Sequence, residues 1–255
     1  MADIERTKFG IQGLDKALMN GLPQGNIVLL SGGAGTGKST LCLQFLINGA
    51  QVFGEKALYI STEQNREELY KHASRFGWNL QQLEEKSLFK LLFFDITSGD
   101  NFLQQVDLVI KEFKPQRVVI DSMTTLTDSL IIGGMKDDNA FSLVQVVETV
   151  NPIPRTEQIV AKSILYKLIA ELKKYRLTTI LTSELYEASK SLSADGISEF
   201  ITDGVMLLHY LEIGVSDYRS LEIRKMRYSD YNKDIVPYNI TNSGIKVVEE
   251  GRAKI

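Results

Sequence analysis

The sequence predicts an α/β fold: a mostly parallel central sheet covered by helices on both faces, with antiparallel strands at one edge. Three observations carry this. Residues 26–47 read as a short apolar strand, a glycine-rich loop and a helix. Strand-like apolar runs then alternate with helix-like segments as far as Thr182. From Gly204 onward the texture changes to short alternating stretches separated by turn residues, the pattern of antiparallel pairing.

In chain order, Phe9, Ile11, Leu14 and Leu18 offer an apolar face to the core, and residues 21–25 turn the chain into the first strand. That strand covers 26–31, and the helix after the glycine-rich loop runs to about Gln51. Residues 57–61 read as a second buried strand. A polar helix over 65–76 follows, is broken at Gly77-Trp78-Asn79, and resumes briefly at Leu80. A third strand is expected over 88–94, a helix over 102–113 closed by Pro115, and a fourth strand over 117–121 ending in Asp121. Residues 122–155 exceed ordinary connection lengths and read as a loop that is either functional or mobile. A helix over 156–174, a fifth strand over 177–182 and a polar loop over 184–198 complete the parallel part. Antiparallel strands are expected over 205–210, 221–228, 236–240 and 245–248. With no linker and no internal repeat, residues 1–255 are expected to form one domain.

The most informative stretch is Gly32-Gly33-Ala34-Gly35-Thr36-Gly37-Lys38-Ser39. It has the full G-x-x-x-x-G-K-S spacing of a phosphate-binding loop, in the strand-to-helix context that the motif needs. Glycines let the backbone wrap with its N–H groups inward. The helix N-terminus adds partial positive charge. Lys38 can reach β/γ-phosphates and the Ser39 hydroxyl can ligate Mg²⁺.

Composition narrows the class. The chain has 255 residues, 44% hydrophobic and 24% charged, which is globular usage. A net charge of −3 gives no global pull toward nucleic acid or an anionic membrane. Cys42 is the one cysteine, so no intrachain disulfide can form. It reads as a packed helix residue. His72 and His209 have no metal-ligand spacing around them. No apolar run approaches the 18 or so residues of a membrane span. A cytoplasmic protein is expected.

Two acids end predicted strands. Asp121, beside the phosphate loop, can hold Mg²⁺ through water. Glu63 faces the nucleotide crevice expected at the carboxyl ends of the strands. Spacing leaves it open between a carboxylate that activates water and a helix N-terminal acid favoured by the macrodipole. Lys225 and Arg227 are two apart in a predicted strand and so share a face, within a segment, 219–233, of net charge +3. Composition fits solvated charges protecting an edge strand more readily than cations aimed at phosphate.

At this point the chain resembles a known family. Gly10-Ile11-Gln12-Gly13-Leu14-Asp15, Gly21-Leu22-Pro23-Gln24-Gly25 and the phosphate loop are similar to the KaiC/RadA branch of the RecA-like ATPases. So are Tyr59-Ile60-Ser61-Thr62-Glu63, residues 75–80, 179–184 and 199–204, Lys225-Met226-Arg227 and residues 240–245. These blocks follow in order along nearly the whole chain and resemble a single KaiC-type domain. The resemblance implies a RecA-like fold and Mg²⁺-dependent ATP hydrolysis, with ATP on Gly33, Ala34, Gly35, Thr36, Gly37, Lys38, Ser39 and Thr40. It implies Glu63 and Lys38 in catalysis, and Ser39 and Asp121 at the metal. Gln64 stands where a second Glu is common in the family, which implies slow turnover. The family forms hexameric rings with ATP between subunits. The resemblance therefore implies that Lys225, Met226 and Arg227 serve the neighbour's ATP, Lys225 and Arg227 at its γ-phosphate. It further implies that Arg75, Ser229, Tyr231, Thr241 and Asn242 line the base and ribose. The clock-type members autophosphorylate a Ser-Thr pair, and the resemblance assigns no equivalent pair here, which leaves autophosphorylation open.

Two functions follow from different classes, and Gln64 adds a third reading, a nucleotide-binding protein with negligible turnover. One is a homo-hexameric ATPase switch acting on protein partners. The other is a recombinase paralogue that binds single-stranded DNA. The loops that would face DNA, residues 121–155 and 184–204, carry net charges of −3 and −4. Acidic loops repel phosphate, so the switch is the favoured expectation.

Overall fold

The computed structural model describes residues 4–95, 102–126, 156–186, 191–213 and 216–248. The long loop expected over 122–155 falls mostly outside the described residues. Among the described residues, a short ribbon pairs β1 (Arg6–Thr7) with β2 (Leu22–Pro23) around α1 (Gln12–Ala17). The parallel part then runs β3 (Ile27–Gly32), α2 (Lys38–Val52), β4 (Ala57–Ser61), α3 (Arg66–Ser74), α4 (Leu80–Glu85), β5 (Phe89–Phe93), α5 (Phe102–Phe113) and β6 (Arg117–Asp121). It continues with α6 (Thr156–Lys174), β7 (Thr178–Glu184), α7 (Ser198–Ile201) and β8 (Gly204–Ile213). The antiparallel edge is β9 (Ser216–Met226), β10 (Val236–Thr241) and β11 (Gly244–Val247).

These strands form one nine-stranded sheet in the order β11-β10-β9-β8-β3-β7-β6-β4-β5. The six strands from β8 to β5 are parallel, and β9, β10 and β11 pair antiparallel at one edge. β3 is central and every one of its residues is buried. That is why it reads as an unbroken apolar run, the signature of a strand covered on both faces.

Side chains alternate across a strand, and the two faces bury different layers. Val28, Leu30, Tyr59 and Val119 pack with α1, α2, α3 and α4. Ile27, Leu29, Leu58, Ile60, Val118 and Ile120 pack with α5 and α6. Local chemistry sets the helix starts. Asn65 accepts from the Glu68 amide and the Glu68 carboxylate accepts from the Asn65 amide, closing a capping box on α3. Asn79 caps α4 through the Gln82 amide.

Two boundaries differ from expectation. β8 and β9 extend into a longer hairpin than 205–210 and 221–228 imply, while β9 stops at Met226. Arg227 therefore lies past the strand end, and Tyr228, with φ +66°, turns the chain away. No helix among the described residues is long and apolar enough to cross a membrane.

Candidate nucleotide site

The glycine-rich loop leaves the carboxyl end of β3 and enters α2. Gly35 and Gly37 have φ of +73° and +94°, the left-handed region that side chains avoid. A Cβ on Gly37 would lie 2.8 Å from Ile240 Cδ1, so this position also requires glycine sterically. The Thr36 hydroxyl donates to the Gly33 carbonyl at 2.8 Å. The Lys38 ammonium donates to the carbonyls of Gly32 at 2.9 Å and Gly33 at 3.1 Å, folded back over the concavity where a phosphate would draw it.

Two further carbonyls of the loop are held from the antiparallel edge. Arg219 Nε donates to the Gly35 carbonyl at 3.1 Å, and the buried Tyr238 hydroxyl donates to the Thr36 carbonyl at 2.5 Å. The Arg219 guanidinium lies over the Tyr210 ring, 4.4 Å from its centroid.

Asp121 ends β6 almost fully buried. Its carboxylate accepts from the Tyr59 hydroxyl at 2.5 Å and from the Thr182 hydroxyl at 2.5 Å. The Ser39 side chain lies near the same phenol, so Tyr59 stands between the two residues predicted to hold the metal. Burial first, then the Asp121 charge, push the Tyr59 phenol far up, and it stays a donor. Among the described residues no three His, Cys, Asp or Glu side chains gather as a metal cage. An oxygen donor set of one hydroxyl and one carboxylate still fits Mg²⁺, which keeps waters and takes substrate phosphates as ligands. Because both carboxylate oxygens already accept hydroxyls, Asp121 fits a water-mediated role.

Glu63 follows β4 and is exposed. The hydroxyls of Ser122 and Thr125 both donate to its Oε1, Thr125 at 2.6 Å. Next to it, Gln64 ties back to Ser61: its amide donates to Ser61 Oγ at 3.0 Å, and that hydroxyl donates to the Gln64 carbonyl. Thr40, in the first turn of α2, meets His72 Nε2 at 3.1 Å. Arg75 caps α3 one turn further on. Thr241 and Asn242 lie at the β10–β11 turn beside Ile240 and hence beside Gly37.

The remaining predicted residues sit elsewhere. Lys225 pairs with Val205, which is level with Leu29. That places it two strands across from β3 and three residues short of Gly32, roughly 14 Å away by strand geometry. Its ammonium turns further off, donating to the carbonyls of Thr202 at 2.6 Å, Glu199 at 3.0 Å and Phe200 at 3.3 Å. Burial, followed by the Arg227 charge, pushes the Lys225 ammonium down. Arg227 reaches the Phe200 carbonyl and Asp203 Oδ1, each at 3.5 Å. Ser229 accepts from Arg6 at 2.7 Å, and the Tyr231 hydroxyl donates to the Arg224 carbonyl at 3.1 Å. Met226 is buried, close against Gly204, so its side chain is core and only its backbone could face a ligand.

The predicted residues thus form two groups. Arg75, Thr241 and Asn242 lie on the α2 side of residues 33–40, and Asp121 and Glu63 follow at the carboxyl ends of β6 and β4, two and three strands from β3. Lys225, Arg227, Ser229 and Tyr231 lie toward the opposite end of the sheet. Sequence reasoning missed Tyr59, Thr182, Ser122 and Thr125, which orient the two carboxylates, and Arg219 and Tyr238. Arg219 was visible only as one charge of the basic segment.

Comparison with known proteins places this geometry. The family described as "ATPase: KaiC" matches residues 7–133 and 135–252. The circadian clock oscillator protein KaiC of Nostoc is 31% identical over 262 residues, covering 99% of this chain and 46% of that protein. The chain spans about half the length of the curated KaiC relatives that it matches. A UPF0273 protein of Pyrococcus furiosus is 30% identical over 98% of both chains. Among solved structures, a KaiC-like protein of Pyrococcus horikoshii OT3 superposes with a TM-score of 0.79 at 31% identity, over 97% of this chain and all of that one. With its phosphate loop, its mostly parallel sheet and a family match along nearly its whole length, the chain belongs to the KaiC family of ATPases.

Proposed function

We propose that residues 1–255 form one Mg²⁺-dependent ATPase domain that assembles as a homo-hexameric ring with ATP between subunits. Its nucleotide state then switches a surface for protein partners in the cytoplasm. The observation that carries the ring is the separation of the two residue groups. Lys225 and Arg227 point away from the phosphate loop of their own chain, so a nucleotide that they serve belongs to a neighbour.

Within this reading Lys38 and the loop amides hold the phosphates. Ser39 directly, and Asp121 through water, would hold Mg²⁺, which neutralises phosphate charge when bound. Glu63 orients the attacking water and takes its proton. Ser122 and Thr125 fix the carboxylate for that task. Lys225 and Arg227 stabilise the charge that develops on the neighbour's γ-phosphate. Arg75, Thr241 and Asn242 line the nucleotide from the loop side, with Ser229 and Tyr231 across the interface.

The test is subunit mixing. Lys38→Ala removes the phosphate contact but keeps the trans cations, and Arg227→Ala does the reverse. Each variant alone should hydrolyse ATP poorly. An equal mixture should recover about a quarter of wild-type turnover, the share of interfaces that pair an intact loop with an intact Arg227. Mixed rings with no recovery would overturn the trans assignment. Strong stimulation by single-stranded DNA would replace the switch with the recombinase reading.

A further inference from the structure

We propose that Arg219 and Tyr238 are positioning residues of the phosphate loop, holding two successive peptide groups so that the amides of Thr36 and Gly37 face the nucleotide. This rests on the reading that the loop binds nucleotide phosphates.

The argument starts from the peptide group. In a planar trans peptide the carbonyl of one residue and the N–H of the next point in opposite directions. A donor that fixes the Gly35 carbonyl on the outer side of the loop therefore turns the Thr36 N–H inward. A donor on the Thr36 carbonyl does the same for the Gly37 N–H. Arg219 and Tyr238 are those two donors. Both peptides need restraint, because each is flanked by a glycine with positive φ and glycine readily populates several backbone wells. A flipped peptide would present a carbonyl oxygen to a phosphate and repel it.

The donors are held in turn. Arg219 lies directly opposite Tyr210 on β8 and Tyr238 on β10, so the three form one row across the antiparallel edge. The Tyr210 ring supports the guanidinium, and cation–π contact of this kind favours one orientation. Tyr238 is buried in the core of the sheet face that carries α2. The loop is thus tied at its tip to a rigid sheet row and not only to its own strand and helix. β9 also carries Lys225, so one strand touches its own phosphate loop near one end and offers a cation to the neighbour at the other.

The experiment compares wild type, Tyr238→Phe, Arg219→Gln and Lys38→Ala. ADP binding by calorimetry in Mg²⁺ is the first readout, and the KM-against-kcat split for ATP is the second. Tyr238→Phe keeps the ring volume and removes only the donor. Each brace variant should bind ADP about fivefold more weakly, the loss of one hydrogen bond, and KM should rise while kcat stays within about twofold. Melting curves identify variants that are simply unfolded; if Arg219→Gln does not fold, Tyr238→Phe alone decides between the outcomes. If Lys38→Ala loses ADP while both folded brace variants bind as wild type does, the positioning role is wrong and the phosphate site stands. If wild type itself binds no ADP, the underlying reading fails and the brace with it.

Discussion

The Tyr59 hydroxyl donates to the Asp121 carboxylate at 2.5 Å in the buried interior between β4 and β6. Asp121 is one of the two side chains proposed to hold Mg²⁺, so the phenol orients a carboxylate of that site. Tyr59→Phe should lower folding stability by about 1.5–3 kcal/mol, the usual worth of a hydrogen bond to a charged group. It should also raise the Mg²⁺ concentration needed for half-maximal ATP hydrolysis. Denaturant midpoints together with a Mg²⁺ titration check both effects. An unchanged Mg²⁺ requirement would mean that Tyr59 does not set the metal-binding geometry.

What could be read in the sequence depended on how local the signal was. The strand, loop and helix around Lys38 carry their own periodicity and spacing, and they appear where expected. The change of texture after Gly204 located the antiparallel edge. Tyr59 was illegible because a tyrosine in an apolar strand reads as core, and nothing local reveals that its hydroxyl meets an acid more than 60 positions on. Arg219 and Tyr238 act through cross-strand register, which no single segment encodes. Met226 shows the converse: a motif position adjacent to two cations whose own side chain packs inward. The ribbon of β1 and β2 has two residues per strand, too few to show a period.

Gly49 and Arg117 give a prediction about the fold. Arg117 is fully buried. Its guanidinium pairs with Glu55, donates to the carbonyls of Lys8 at 2.6 Å and Phe45 at 2.8 Å, and lies over the Phe45 ring. A Cβ on Gly49 would come within 2.5 Å of Arg117 Cδ and Nε. Gly49→Ala must displace a buried cation from its partners, so it should cost at least about 2 kcal/mol. A chemical denaturation midpoint within error of wild type would refute the anchoring role.

His72 gives a pH dependence. Its ring is half-buried, with Nε2 on Thr40 and Nδ1 unpartnered. Burial lowers its pKa below the ordinary 6.5; the Asp121 charge opposes this and the Arg75 charge assists it. The unfolded chain therefore binds more protons between the two pKa values. The contribution of His72 to stability is complete above pH 6.5 and is lost as pH falls below it. Between pH 7.5 and 5.5 the wild type should lose more thermal stability than His72→Gln. Parallel curves for the two proteins would show that His72 titrates alike in both states.

Glu63 is the sharpest test of the chemistry. Two hydroxyls from the segment after β6 converge on its Oε1, which fixes the carboxylate plane while the residue stays exposed. A carboxylate used only to cap the following helix would gain nothing from that arrangement, because Asn65 already caps α3. A general base would gain, because orientation toward water governs proton transfer. Glu63→Gln keeps the shape and the acceptor oxygen but cannot take a proton. It should leave ATP affinity within about threefold, since the phosphates are held by the loop, and should cut turnover by about 10² to 10⁴. Ser122→Ala and Thr125→Val should each slow turnover by a smaller factor, about tenfold, without weakening binding. Single-turnover hydrolysis alongside calorimetric binding separates the two quantities. Wild-type turnover in Glu63→Gln would remove Glu63 from the chemistry and leave the water to be activated by another group.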